Sequence, residues 1–265
     1  MKKADITIYL FVFFLIIIFL LLVQGWQCKY EVTGVQKPAI CQISFIKNLY
    51  IENGFVENMQ SILLFLSILL LLKIIKKFEF DKLIKTFIFL KILALTYFLG
   101  EEISWGQHFF NWQTPTLFGD YNNQNETNLH NISNLLDQLP RSLVILWCGF
   151  IPIIFYFLNK KFLFKNEINF IILPKKILLL ISFLILLFFL PDFLIDKLDL
   201  HPGNEVGIKD SAEAIIIDFI SFNYVHRLSE LQELIFCFYF LIYAISLNKN
   251  LALRKKHVEV KSIDE

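Results

Sequence analysis

Long apolar runs recur along this chain, and they limit what it can fold into more than any other feature. The first, from Ile6 to Val23, has no charged residue over 18 positions, close to the length of about 20 residues that a helix needs to cross a bilayer. Six segments are predominantly apolar, the fifth being the shortest, and we predict a membrane-spanning helix in each. They are Ile6–Trp26, Phe55–Leu72, Ile84–Ile103, Ser142–Leu158, Ile177–Leu190 and Leu231–Leu247.

The composition supports the same class. Hydrophobic residues make up 56% of the 265 positions and charged residues only 18%, whereas soluble domains interrupt their apolar runs every few positions. We therefore expect an all-α polytopic membrane helix bundle that forms a single domain over residues 1–265. The net charge of +1 gives no sign of a nucleic-acid partner, so the expected partners are membrane lipids.

Two local patterns define the ends of these segments. The basic, apolar start imitates a secretory signal, but no small-x-small cleavage site precedes Cys28, so we expect a retained first helix. Pro174 and two lysines precede the fifth segment, and Pro191 follows it. Because proline lacks an N–H and restricts the residue before it, we expect this helix to end at Pro191.

The distribution of charge predicts the orientation. With a cytoplasmic N-terminus, 17 Lys and Arg residues fall on the inner side and seven on the outer side. By the positive-inside rule both termini are then cytoplasmic, as expected in a bacterial inner membrane. Most acids and four of the five histidines lie on the outer side, so a functional site should face the periplasm. Lys91 lies within the third segment, and we expect its stem to extend to the inner surface.

The outer loops carry two further features. Cys28 and Cys41 share the first outer loop, where they could form a disulfide or remain as two thiols; Cys148 and Cys237 should be buried thiols. In the last outer loop, the residues from Ser211 to Ile220 have the spacing of a short amphipathic helix.

Acidic residues stand at the outer ends of three predicted helices. Glu101 and Glu102 end the third segment within "GEEISWGQHFFNW", and Glu57 opens the second beside Gln60 and Ser61. The last segment opens with a third such group, His226, Glu230 and Glu233, which share a face at i, i+4, i+7 spacing. A carboxylate beside hydrocarbon needs a partner, a proton or water, so these acids should either converge on a site or mark helix ends.

A polar loop, "NNQNETNLHNISN", completes the pattern. Its amides suit the recognition of sugars, phosphates or carboxylates, although it could also be a surface loop with helix-capping residues before Leu135. The expected catalytic residues are Glu102, Glu101 and Glu57, with Glu102 as the general base. The expected substrate-binding residues are Gln107, Trp105, Gln124 and Asn128. The expected ligands of a divalent metal such as Zn are His130, Glu126, His226, Glu230 and Glu233.

Carboxylates and imidazoles spaced along helices are common metal ligands. The leading hypothesis is therefore a metal-assisted enzyme that acts on a lipid or lipid-linked headgroup. Two alternatives stay open. One is a protein that binds or transports a headgroup or solute without bond chemistry, and the other is a polar network that only fixes the bundle.

Four stretches carry a resemblance: "IENGFVEN", "GEEISWGQHFFNW", "NNQNETNLHN" and "ELQEL". With them the chain resembles a family of uncharacterised bacterial multi-pass membrane proteins that have an E-E-x-S-W-G-Q block followed by an N-x-Q-x-E-x-N-L-H-N block. The resemblance covers about residues 51 to 135 and implies no established activity. A looser likeness is to membrane hydrolases of the alkaline ceramidase type, which hold Zn in a helical bundle. The His-x-x-x-His pair of those enzymes is absent, so this likeness is architectural.

Overall fold

In a computed structural model, the residues described are 8, 10–15, 17, 54–110, 112–116, 127–129, 132–158, 176–198 and 228–264. All regular structure within these ranges is helical, with no strand. We label the helices α1 (Phe55–Lys77), α2 (Lys82–Glu102), α3 (Gln107–Phe110), α4 (Asn134–Val144), α5 (Ile151–Leu158), α6 (Ile177–Leu198) and α7 (Leu228–Asp264). A π-helical segment, Ile145–Phe150, joins α4 to α5.

The expected class is confirmed for this part of the chain. Four helical stretches are long and apolar enough to cross a membrane: Phe55–Lys77, Lys82–Glu102, Gln138–Leu158 and Leu231–Leu253. A fifth apolar stretch, Ile177–Phe189, is shorter. Most of the first predicted segment lies outside the described residues, although those described between 8 and 17 are helical. The count of six spans therefore stays a prediction.

The helices α1 and α2 form an antiparallel hairpin. Only Phe78 to Asp81 connect them, and such short connections join antiparallel neighbours. The helix α1 carries Glu57 in its first turn and lysines in its last, which matches the sign of the helix dipole at both ends. We call the end of the bundle where α1 and α7 begin and α2 ends the carboxylate end.

The helix α7 is the centre of the bundle, and it packs against both α1 and α6. In its apolar window 83% of the residues are buried, against 28 to 33% in the other three spans. Phe14 from the N-terminal helical residues stacks on Phe238 of α7 with ring centroids 3.9 Å apart. The other spans thus surround α7 and expose much of their own apolar surface, as lipid-facing helices do.

Proline and glycine shape the contact between the third span and α6. In a regular α-helix the carbonyl of Cys148 would accept a hydrogen bond from residue 152, but Pro152 has no N–H to donate. The hydroxyl of Ser182 lies 2.5 Å from this carbonyl oxygen and supplies a donor from α6. A Cβ on Gly149 would lie 2.8 Å from the Leu186 side chain, so glycine permits the close approach of the two helices.

The predicted end of the fifth segment at Pro191 is wrong, because α6 continues through this proline to Leu198. A proline inside a helix frees one backbone carbonyl and bends the helix without having to end it. Membrane helices tolerate this, since neighbouring groups can satisfy the freed carbonyl.

The expectation that Lys91 extends to the inner surface is also wrong. Its side chain is buried, and three aromatic rings surround the ammonium. The Nζ atom lies 3.4 Å from the ring centroid of Tyr243, 4.6 Å from that of Trp147 and 5.1 Å from that of Phe87. No hydrogen-bond acceptor reaches it from the described residues. Attraction to the ring faces therefore holds this cation inside the bundle.

The predictions for the four cysteines have two different outcomes. Cys148 and Cys237 are free and buried, as expected. The possible pair of Cys28 and Cys41 lies outside the described residues, and so does the predicted amphipathic helix from Ser211 to Ile220.

Candidate functional site

The backbone reverses directly after Glu102, at the carboxylate end. Ser104, Trp105 and Gly106 form a short turn in which φ is 45°, 54° and 97°. Left-handed backbone is unfavourable for residues other than glycine, by about 1–2 kcal/mol each. Two non-glycine residues in this region indicate that the surrounding contacts hold the turn in place.

Those contacts come from the indole of Trp105, which folds back onto α2. The Nε1–H group donates a hydrogen bond to Oε1 of Glu101 at 2.7 Å. A Cβ on Gly100 would lie 3.0 Å from the indole ring, so only glycine leaves room for it. The ring of Tyr97 packs edge-to-face against the same indole, with ring centroids 6.3 Å apart. The expected site residues Glu101 and Trp105 therefore do meet, and they bind each other.

The side-chain amide of Gln107 joins three parts of the loop that follows α2. Its Oε1 accepts hydrogen bonds from the backbone N–H of Thr127 at 2.7 Å and from the Thr127 hydroxyl at 2.8 Å. Its Nε2 donates to the hydroxyl of Thr114 at 2.9 Å. Asn128, next in the chain, is buried. Two of the expected substrate-binding residues, Gln107 and Asn128, thus lie close together where the loop folds back on itself.

An ion pair links the third span to the central helix. The guanidinium of Arg141 donates through Nη2 to Oε1 of Glu233, and each side chain is 26% exposed. Glu102 and Glu233 both lie near Cys237 of α7. Three helices thus bring Glu102, Arg141 and Glu233 to one region of the carboxylate end.

The second helix of the predicted site, α1, contributes Glu57 and Gln60. Glu57 is half-buried in the first turn of α1, and Gln60 is fully buried one turn further in. Since α1 packs against both α2 and α7, Glu57 lies at the same end as Glu102 and Glu233.

Several predicted residues lie outside the described part of the chain, namely Gln124, Glu126, His130 and His226. The backbone of Glu230 is helical, but its side chain is among those left undescribed. Among the described side chains, no group of three His, Cys, Asp or Glu residues could hold a metal ion. The metal site therefore stays a prediction.

Sequence reasoning missed Arg141 as a member of this site. One signal could have found it: Arg141 is a base on the acid-rich side, and it opens a membrane-spanning segment. The roles of Thr114 and Thr127 could not have been found in this way, because their only link to Gln107 is the fold of the loop.

The fold and this site together define a helical membrane protein with a carboxylate and arginine cluster at one end of its bundle. Comparison of the chain with protein-family models, with curated proteins and with solved structures gave no significant match.

Proposed function

We propose that this is a multi-pass protein of the bacterial inner membrane that acts on a lipid or lipid-linked headgroup at the periplasmic surface. The observation that carries the proposal is that Glu57, Glu102 and Glu233, from three helices, lie at the same end of an apolar bundle. Lipid headgroups lie at this depth. The excess of Lys and Arg at the opposite end favours placing the carboxylate end outside.

We assign Glu102 the role of general base. It is half-buried at the end of α2 and lies near Cys237 of the central helix. In a hydrolysis, Glu102 would take a proton from water while the water oxygen bonds to the phosphorus or carbonyl carbon of the substrate. The bond to the leaving oxygen would break, and that oxygen would be protonated.

A divalent metal would assist by activating the water and polarising the substrate. The proposed ligands are His130, Glu126, His226, Glu230 and Glu233. A metal would have to share the carboxylate of Glu233 with Arg141.

Elemental analysis of the protein purified in mild detergent without chelator tests the metal. A stoichiometric transition metal that His130→Ala loses would support the proposal, whereas a metal-free wild-type protein would contradict it.

The catalytic role of Glu102 is tested by the release of water-soluble headgroups from vesicles of phosphatidylethanolamine and phosphatidylglycerol. Glu102→Gln should abolish release and leave the fold intact. The matched control is Glu79→Gln, the same change on an exposed residue at the opposite end, and it should leave release unchanged. Equal activity of Glu102→Gln and wild type would reject the assignment.

A second candidate is a polar network that only fixes the bundle. It is favoured by the partners of Glu101, Gln107 and Glu233, each of which binds another side chain of the protein. If the network is only structural, Glu102→Gln should lower the thermal stability of the protein. Its headgroup release should then not differ from that of the control variant.

A further inference from the structure

The inference concerns Arg141 and rests on the proposed function at the carboxylate end. Among the residues whose side chains the structure describes, Arg141 is the only base at this end. The other described bases lie toward the opposite end, apart from Lys91, which is enclosed by aromatic rings in the interior. A site that binds only cations would not need a positive charge among its acids. The guanidinium of Arg141 therefore indicates that this end also binds an anion.

The geometry of the arginine side chain limits the class of ligand. A guanidinium is planar and offers a fork of N–H donors that matches the oxygens of a carboxylate or a phosphate. Here the carboxylate of Glu233 takes that position, on a pair that is one-quarter exposed. This exposure lets an incoming anion reach the guanidinium and replace the carboxylate of Glu233 there.

The surroundings indicate where the anion comes from. Arg141 lies in α4, a helix that exposes Leu135, Leu139 and Leu143 at i, i+4, i+8 spacing. In a membrane such a face lies against acyl chains. The third span begins here as well, so Arg141 lies where the phosphates of phospholipids are concentrated.

We propose that Arg141 binds the phosphate group of a phospholipid headgroup and that Glu233 is its built-in competitor. In the resting state the carboxylate of Glu233 occupies the guanidinium. When a lipid phosphate binds Arg141, the carboxylate of Glu233 is released at the end of the bundle where Glu102 also lies. Two carboxylates there attract a cationic group, which favours a headgroup that carries an amine beside its phosphate.

The test uses full-length protein in a nonionic detergent and native mass spectrometry. The probes are short-chain phosphatidylethanolamine, the matching diacylglycerol without phosphate, and inorganic phosphate. Wild type should bind the phospholipid and not the diacylglycerol. Arg141→Gln should weaken binding by about tenfold or more, the loss expected for one charge-assisted hydrogen bond.

The direction in which Glu233→Gln changes the phospholipid affinity is the decisive result. If Glu233 competes with the phosphate, this variant should bind the phospholipid several-fold more tightly than wild type. If the pair is only structural, Glu233→Gln and Arg141→Gln should both weaken binding or leave it unchanged, and either result overturns the proposal. The double variant Arg141→Gln with Glu233→Gln has no unpaired charge and should bind as weakly as Arg141→Gln. Equal affinity for inorganic phosphate alone would overturn the lipid as its source.

The outcome is separable from that of the proposed function. If wild type releases no headgroup, or if Glu102→Gln is fully active, the Arg141-dependent binding can still be measured as described. Failure of the phosphate proposal would show as unchanged lipid binding by Arg141→Gln, while Glu102→Gln still abolishes headgroup release.

Discussion

At the scale of single residues, the backbone turn after α2 depends on what Gly100 lacks. The indole of Trp105 occupies the space of a missing side chain, and its N–H reaches Glu101 from there. One acid of the pair is thus fixed by a local contact four residues along the chain. Its neighbour Glu102 is half-buried and lies near Cys237 of the central helix. Adjacent residues of the same type therefore have different surroundings.

We predict that Gly100→Ala lowers the free energy of unfolding by about 1–3 kcal/mol, the usual cost of overpacking. The new methyl group would lie 3.0 Å from the indole and would displace it from Glu101. Thermal unfolding in detergent measures the change. In a Trp105→Ala background the clash is gone, and Gly100→Ala should stabilise by up to about 1 kcal/mol because alanine favours a helix. The same destabilisation in both backgrounds would contradict the packing.

At the scale of elements, the ammonium of Lys91 connects three of them. The rings that surround it belong to α2, to the π-helical segment and to α7. A desolvated cation–π contact contributes about 2 kcal/mol, whereas placing a lysine at the centre of a membrane helix costs about 2.5–3.5 kcal/mol on insertion scales. The cation–π stabilisation nearly offsets the cost of the buried charge. The rings therefore compensate for the lysine and add little net stability to the bundle.

We predict that Lys91→Met raises the stability by about 1 kcal/mol, since it removes the charge and keeps the volume. Trp147→Leu should then destabilise wild type more than it destabilises the Lys91→Met protein, by the lost cation–π energy of about 1–2 kcal/mol. Thermal unfolding of the four proteins gives this coupling. Lys85→Met, on an exposed site of the same helix, is the control without an effect. Purely additive changes would reject the contact.

The sequence predicted elements well and their contacts poorly, for a physical reason. The apolar runs identify α1, α2 and the third span directly, because a helix of about 20 apolar residues has no stable place in water. The acids Glu57, Glu101 and Glu102 were placed at helix ends by the same logic. The direction of a long side chain, however, depends on neighbours from other helices. Lys91 was therefore expected at the surface, and Arg141 was not assigned to the site.

At the scale of the whole molecule, the fold places most of the described bases at the end of the bundle opposite the carboxylate end. The described lysines of α1 and α7, those at the start of α2, and Lys176 just before α6 lie at or toward the end opposite the carboxylates. Two lysines differ: Lys91 is in the interior, and Lys197 lies in the last turn of α6. A bundle with bases at one end and acids at the other inserts with the bases inside. The positive-inside rule therefore predicts the orientation from the ends of the helices, whichever activity the carboxylate end has.

We predict that green fluorescent protein fused after Phe80 fluoresces and that alkaline phosphatase fused at the same point is inactive. After Pro115 the two reporters should behave in the opposite way, because these positions follow α1 and α2 at opposite ends of the bundle. Enzyme activity and fluorescence in whole cells measure this, with protein amounts from immunoblots as the control. The reverse pattern would place the carboxylate end in the cytoplasm.

The central position of α7 has a consequence for biosynthesis. The ribosome makes this helix after every other described helix, yet the others pack around it. The earlier spans must therefore enter the bilayer without the helix that fills their centre. Their buried polar groups, such as Gln60 and Ser67 of α1, face lipid or each other until α7 arrives. We therefore expect the bundle to assemble only after α7 has entered the membrane, and we expect a truncated nascent chain to expose these polar groups to membrane quality control.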